Sequence, residues 1–127
     1  MKPIYPKAIL IIITFFTFST LLYSQSAVAP FGDGTSGNPY QIASLDNLYW
    51  ISQNSSSWSS FFVQTNDINA SKTSTYDGGQ GWTPIGNDVT KFSGSYDGDN
   101  YIITNLYIDR PTTNNVGLFG HITDGAK

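Results

Sequence analysis

Between Phe92 and Gly120 the chain reads FSGSYDGDNYIITNLYIDRPTTNNVGLFG. This stretch restricts the possible folds more than any other. Apolar and aromatic residues alternate in short runs (Phe92 and Tyr96, Tyr101 and Ile103, Leu106 and Ile108, Val116 and Leu118), each closed by an Asp-Gly, Asn or Pro turn signal. Alternation marks strands with one buried face, and the gaps are too short for crossover helices. Short strands that run parallel without helices between them imply a coil. A coil of this kind buries its apolar face only against neighbours, so the chain is expected to be the first part of a longer array and incomplete by itself.

The order F-x-G-x-aromatic-D-G, then I-x-N-L-Y-I, then V-G-L-F-G resembles the GLUG-motif repeats of secreted bacterial surface proteins. The run Gly32-Asp-Gly-Thr-Ser-Gly-Asn-Pro-Tyr-Gln-Ile42, a short helix, Phe62 to Ile68, and Gly81-Trp-Thr-Pro-Ile-Gly86 resemble the segment that precedes such repeats. The resemblance extends from about Phe31 to the end of the chain and departs from the pattern at one turn, where Gly98-Asp99-Asn100 replaces a Gly-Asn-Gly type sequence. It implies an all-β fold, a right-handed parallel β-helix whose N-terminal end carries one capping helix, and further coils of the same protein as its partner. Such repeats also occur beside IgA-protease-type metallopeptidase domains. Those need His-Glu-x-x-His, and this chain has one histidine, His121, and no glutamate.

The first residues read as an export signal. Lys2 and Lys7 supply a basic start, Ala8 to Leu22 an apolar core, and Ser24-Gln25-Ser26 a cleavage pattern, with Ala27-Val28-Ala29 as a second candidate before Pro30. The apolar run is shorter than the roughly 20 residues that span a bilayer. The division expected is therefore a signal peptide over 1–26, an entry and cap helix over 27–60, and the first coils over 61–127. The chain should be secreted or displayed outside the cell, touching the membrane only through the signal before cleavage.

No cysteine is present, so disulfides, thiolate metal sites and cysteine nucleophiles are excluded. The acidic residues are nine aspartates without a glutamate, which suits a chain rich in turns, because the short Asp side chain bonds to nearby backbone. A net charge of −3 argues against nucleic acid as a partner. Within the exported part, Ser44 is placed to cap a helix carrying Leu45, Leu48, Tyr49 and Ile51 on one stripe, ended by Gln53-Asn54 and three serines. Tyr40 to Ala43 reads as a strand, and Phe61 to Ile68 as two strands about a bend at Asn66-Asp67. Residues 70–81 and 86–91 read as loops.

Three constellations invite a functional reading. Asp97-Gly98-Asp99-Asn100, Asp67 with Asn69, and Asp77 with Gly78-Gly79 could offer oxygens to calcium, but no glutamate closes a calcium loop, and tight turns explain them better, with glycine at positive φ. Asp67 and Asp97 could form a glycosidase pair, which requires carboxyl groups about 5 to 9.5 Å apart across a sugar. Their turn positions argue against it. Trp50, Trp58 and Trp82 with Tyr40, Tyr49, Tyr101 and Tyr107 could stack on sugars. Trp50 and Trp82 fit core positions, which leaves Trp58, in its serine-rich loop, as the exposed one.

The resulting expectation is a secreted or cell-surface scaffold or adhesin-like module. It is not an enzyme, with no catalytic, cofactor-binding or metal-binding residue, and surface glycans or host proteins are its candidate partners. The rival is part of a carbohydrate-binding or polysaccharide-cleaving β-helix protein whose groove lies outside this chain.

Overall fold

In the computed structural model, Lys2, Pro3 and residues 25–127 are described. The apolar core of the expected signal, Ala8 to Leu22, lies outside the described residues, and none of the described helices is long and apolar enough to cross a membrane.

Strand β1 (Tyr40–Ile42) leads through Ser44 into helix α1 (Leu45–Gln53). Ser44 caps the helix by accepting the Asn47 N–H at 3.2 Å, and Asn47 Oδ1 accepts in return from the Ala43 N–H. The stripe read from the sequence faces inward: Leu45, Leu48 and Ile51 are buried. Asn54 ends the helix, its N–H bonded to the Ile51 carbonyl and its Nδ2 to that of Trp50. A short 3-10 turn at Ser55–Ser57 then delivers β2 (Phe61–Gln64), which bends at Asn66-Asp67 into β3 (Ile68–Asn69). β4 (Ser95–Asp97) and β5 (Ile103–Thr104) complete the strands.

β1, β2 and β4 form a parallel three-stranded sheet in that order, with Tyr40 opposite Phe62 and Phe62 opposite Tyr96. β3 and β5 form a separate parallel pair, Ile68 opposite Ile103. Parallel pairing thus agrees with the short connections, but the all-β right-handed β-helix does not. The described residues make a small mixed α/β unit of two separate small parallel sheets with an α-helix in the same core, and no closed solenoid is formed. The strands are only two to four residues long. Beyond them the chain is joined by isolated bridges, Gly81 with Ile108, Ile85 with Phe119 and Phe92 with Ile122, so no third ladder closes the section. The stretch read as a plain loop, residues 70–81, folds largely as 3-10 turns (Ser71–Gly79), broken where Asp77 and Gly78 take positive φ. Its Thr73 and Tyr76 are buried. Alternation in sequence reveals which residues face inward but not how many of them extend a ladder, and that difference separates this unit from a solenoid.

The core runs from Ile42, Leu48 and Ile51 through Phe62, Ile68, Tyr76 and Trp82 to Ile85 and Phe92. Ile103, Leu106 and Ile108 pack against it only half-buried. In the strand register Ile103 lies opposite Ile68, whereas Val63 lies opposite Asp97. The cost of Leu106→Ala, taken at full burial as about 2–5 kcal/mol, therefore drops to about 1–2 kcal/mol.

Gln64 is buried between the two sheets with its polar atoms satisfied. Nε2 donates to the carbonyls of Asn66 and Ile102, and Oε1 accepts from the Tyr96 hydroxyl at 3.1 Å. Burial holds the Tyr96 phenol well above its ordinary pKa. A group whose folded pKa is raised favours folding fully below its unfolded value, near 10, and loses that contribution as pH rises from there toward the folded value. The stability of the chain is thus expected to fall above about pH 10. Tyr96→Phe should flatten this fall, at the expense of the bond to Gln64 at neutral pH. Thermal unfolding followed by circular dichroism from pH 7 to pH 11 measures both effects; equal slopes in the two proteins would show that Tyr96 is not the titrating group.

Candidate functional site

An open polar cleft lies where residues 83–88 face residues 110–115. The segment from Gly81 to Gly86 is pinned in place by backbone bonds to distant residues: Trp82 N–H to Tyr107 O, Ile85 N–H to Leu118 O and Gly120 N–H to Ile85 O. Gly86 has φ +83°, and a Cβ there would sit 2.1 Å from the His121 carbonyl oxygen, so only glycine permits this approach. The loop that follows is locked by Asn87, whose Oδ1 accepts the N–H groups of Val89 and Thr90 at 3.0 and 2.8 Å.

Arg110 closes the other side. Its Nε donates to the Trp82 carbonyl at 3.0 Å, and its Nη2 reaches Asp77 Oδ2 at 2.7 Å, Thr83 Oγ1 at 3.0 Å and the Gly81 carbonyl at 3.2 Å. The arginine side chain is 12% exposed and the Asp77 side chain 52%. The guanidinium thus joins the end of the 3-10 segment to the segment 81–83.

Across the cleft, Asp88 Oδ1 accepts from Asn115 Nδ2 at 3.2 Å and lies 2.9 Å from His121 Nδ1. A carboxylate only accepts, so Nδ1 carries the proton. Between these groups is an open cleft of about 420 Å³, lined by Thr83, Asn87, Asp88, Arg110, Thr112 and Asn115 among others. A second polar cleft of about 450 Å³, reaching from Tyr49 and Ser52 to Asp77, shares Thr83 and Asn87 with it.

The aspartates singled out in the sequence are held apart. Asp97 Oδ1 accepts the Asp99 N–H at 2.9 Å, making the turn expected there, but Asp99 and Asn100 take the positive φ values, 44° and 63°, rather than Gly98. Asp67 Oδ1 accepts the Ile102 N–H at 2.9 Å, and Asn69 Oδ1 accepts from the Ser71 N–H and Asn105 Nδ2. Asp77 is the partner of Arg110. The strand register sets Asp97 opposite Val63, while Asp67 lies beyond the end of β2, and each carboxylate is taken up by a backbone N–H. Among the described residues no three His, Cys, Asp or Glu side chains gather around a possible metal position. At the N-terminal turn, Asp33 accepts from the Thr35 hydroxyl and N–H, and these bonds hold its carboxyl below the ordinary value.

No aromatic platform forms either. Trp58, the tryptophan expected to be exposed, is 4% exposed, and its indole N–H donates to the Ile51 carbonyl at 2.7 Å. The serine-rich loop folds back over the helix end and covers it. Trp82 is fully buried, with its indole N–H on the Leu118 carbonyl, and Trp50 is half-buried against Tyr40. Tyr40 and Tyr49 also spend their faces on protein neighbours, Phe62 for the first and Tyr76 with Trp82 for the second. Only Tyr101 and Tyr107 of the group remain substantially exposed.

Arg110 and Asp88 did not stand out in the sequence. The one available signal was that Arg110 is the sole arginine of the chain, in a stretch otherwise poor in charge. His121, the one histidine of the chain, pairs with Asp88 beside the cleft.

Comparison with known proteins finds no matching family model and no matching solved structure, and the GLUG likeness therefore rests on the quoted residues alone. Two curated proteins are similar in sequence. Halomucin of Haloquadratum walsbyi is 43% identical over 96 residues, covering 72% of this chain and 1% of that protein. A putative Gly-rich membrane protein of Evansella cellulosilytica is 35% identical over 117 residues, covering 89% of this chain and 13% of that protein. The chain thus spans a small fraction of the length of the curated relatives it matches.

Proposed function

We propose that this chain is an exported, surface-associated structural module, a scaffold or adhesive unit that performs no chemistry of its own. The observation that carries this reading is the pattern of similarity: nearly the whole chain resembles a small part of a much longer protein named as a membrane protein, and most of it a still smaller part of halomucin. That pattern supports reading the chain as one building element of a longer protein. The basic and apolar start supports export, and the carboxylates of Asp33, Asp67, Asp77 and Asp97 are committed to backbone N–H groups or an ion pair. Further segments of the same protein, surface glycans and host proteins are its partners in this reading.

Expression of the full chain with a C-terminal epitope tag, followed by N-terminal sequencing and antibody labelling of intact cells, tests it. The mature chain should begin between Ser24 and Ala29 and the tag should be accessible from outside. A product that still starts at Met1 and remains in the inner membrane would remove the export on which the reading depends.

A further inference from the structure

The cleft between residues 83–88 and 110–115 offers both kinds of hydrogen-bonding group that the fold itself leaves unused. The bonds that hold Arg110 use Nε and Nη2. No buried side-chain nitrogen or oxygen among the described residues lacks a partner, so Nη1, which takes part in none of these bonds, is not fully buried on a side chain that lines the cleft. Opposite it, both described bonds of Asp88 fall on Oδ1, leaving Oδ2 as an acceptor. The hydroxyl of Thr112 and the amides of Asn87 and Asn115 line the space between.

This arrangement discriminates between ligand classes. An anion would meet the carboxylate of Asp88 in a chain of net charge −3, and a cation would meet the guanidinium of Arg110. An apolar ligand would strip water from both without replacing it. A neutral molecule that donates and accepts hydrogen bonds on the same face satisfies every group at once, and a polyhydroxylated ring is such a molecule. The volume, about 420 Å³, is in the range of small-molecule sites, about 300–1,000 Å³. The two walls are held by distant backbone bonds and by the Arg110 and Asn87 clamps, so the site is formed before a ligand arrives.

We propose that this cleft binds one neutral sugar unit of a glycan, with Arg110 Nη1 donating to and Asp88 Oδ2 accepting from its hydroxyls. The proposal stands on the cleft and not on where the chain resides. No aromatic side chain lines the cleft to stack on the sugar, so the affinity for a single unit is weak, with Kd on the order of millimolar.

The test is a titration of the full chain, uniformly labelled with 15N, with methyl glycosides of glucose, galactose, mannose and N-acetylglucosamine, read from amide and side-chain NMR shifts. Sodium sulfate and calcium chloride are titrated in parallel. At least one glycoside should move the signals of Asn87, Thr112 and Asn115 in a saturable way while those of β1 and β2 stay in place. Asp88→Ala should weaken that binding about tenfold or more, and Thr112→Ala, at an exposed position that anchors nothing described, should weaken it less while leaving the spectrum dispersed. Absence of saturable shifts with all four glycosides would overturn the proposal. So would a stronger response to sulfate or calcium, or glycoside binding that survives Asp88→Ala unchanged.

Discussion

Phe62→Ala is expected to destabilise the chain by about 3–5 kcal/mol, whereas Phe61→Ala, one residue away, should change stability by about 1 kcal/mol or less. Phe62 is 2% exposed in the middle strand of the three-stranded sheet, and its ring lies 5.5 Å from Tyr40, 6.1 Å from Phe92 and 6.5 Å from Tyr96, centroid to centroid. Alanine there would leave a void touching residues from three separate parts of the chain. Phe61 points to the other face and is 42% exposed. A domain of about 100 residues has a total stability of only about 5–15 kcal/mol, so the first change consumes much of it. Urea denaturation followed by tryptophan fluorescence gives both values. Equal losses at the two positions would mean that β2 is displaced by one residue, since such a slip exchanges its faces.

Arg110→Ala is expected to have the second largest effect, about 2–4 kcal/mol, because it removes a nearly buried charge together with bonds to two carbonyls, a hydroxyl and a carboxylate. Asp77→Ala should cost less, about 1 kcal/mol or below, since the aspartate is half-exposed and water replaces much of what it supplies. Arg110→Lys should recover only part of the loss, because a point ammonium reaches Asp77 but cannot address Trp82, Gly81 and Thr83 in one plane. Repeating the urea series at low and high salt separates the contributions. If high salt removed the whole difference between Arg110 and alanine, the ion pair alone would be at work and the carbonyl bonds would contribute nothing.

Neither residue was announced as such by the sequence, which marked β2 as a strand without fixing which of its faces turns inward. The Ser44 cap, the stripe of Leu45, Leu48 and Ile51, and the bend between β2 and β3 were legible beforehand. Each depends on residues within a few positions of one another, where propensity, period and capping act. The Asp97 turn was also legible as a turn, although the residues that take positive φ were misassigned. Asp and Asn tolerate the left-handed region well enough that the position of a glycine does not decide it.

By itself, then, the chain determined its local elements and the turns at Asp33 and Asp97, because bonds within a few residues dictate both, while the shortness of the connections pointed to parallel strands. Tertiary structure alone decided the rest. Trp58 is buried because the serine-rich turn brings its indole to the carbonyl of Ile51 at the helix end, which also accepts the Asn54 N–H. The ladders stop after two to four residues because 3-10 turns and isolated bridges take over, which makes two small sheets with a helix in their core instead of a closed coil. The cleft exists because Arg110 meets residues 27 to 33 positions earlier in the chain and Asp88 meets Asn115 and His121, separated from it by 27 and 33. No periodicity or motif encodes such pairs; they are chosen by which backbone carbonyls and carboxylates folding leaves without other partners.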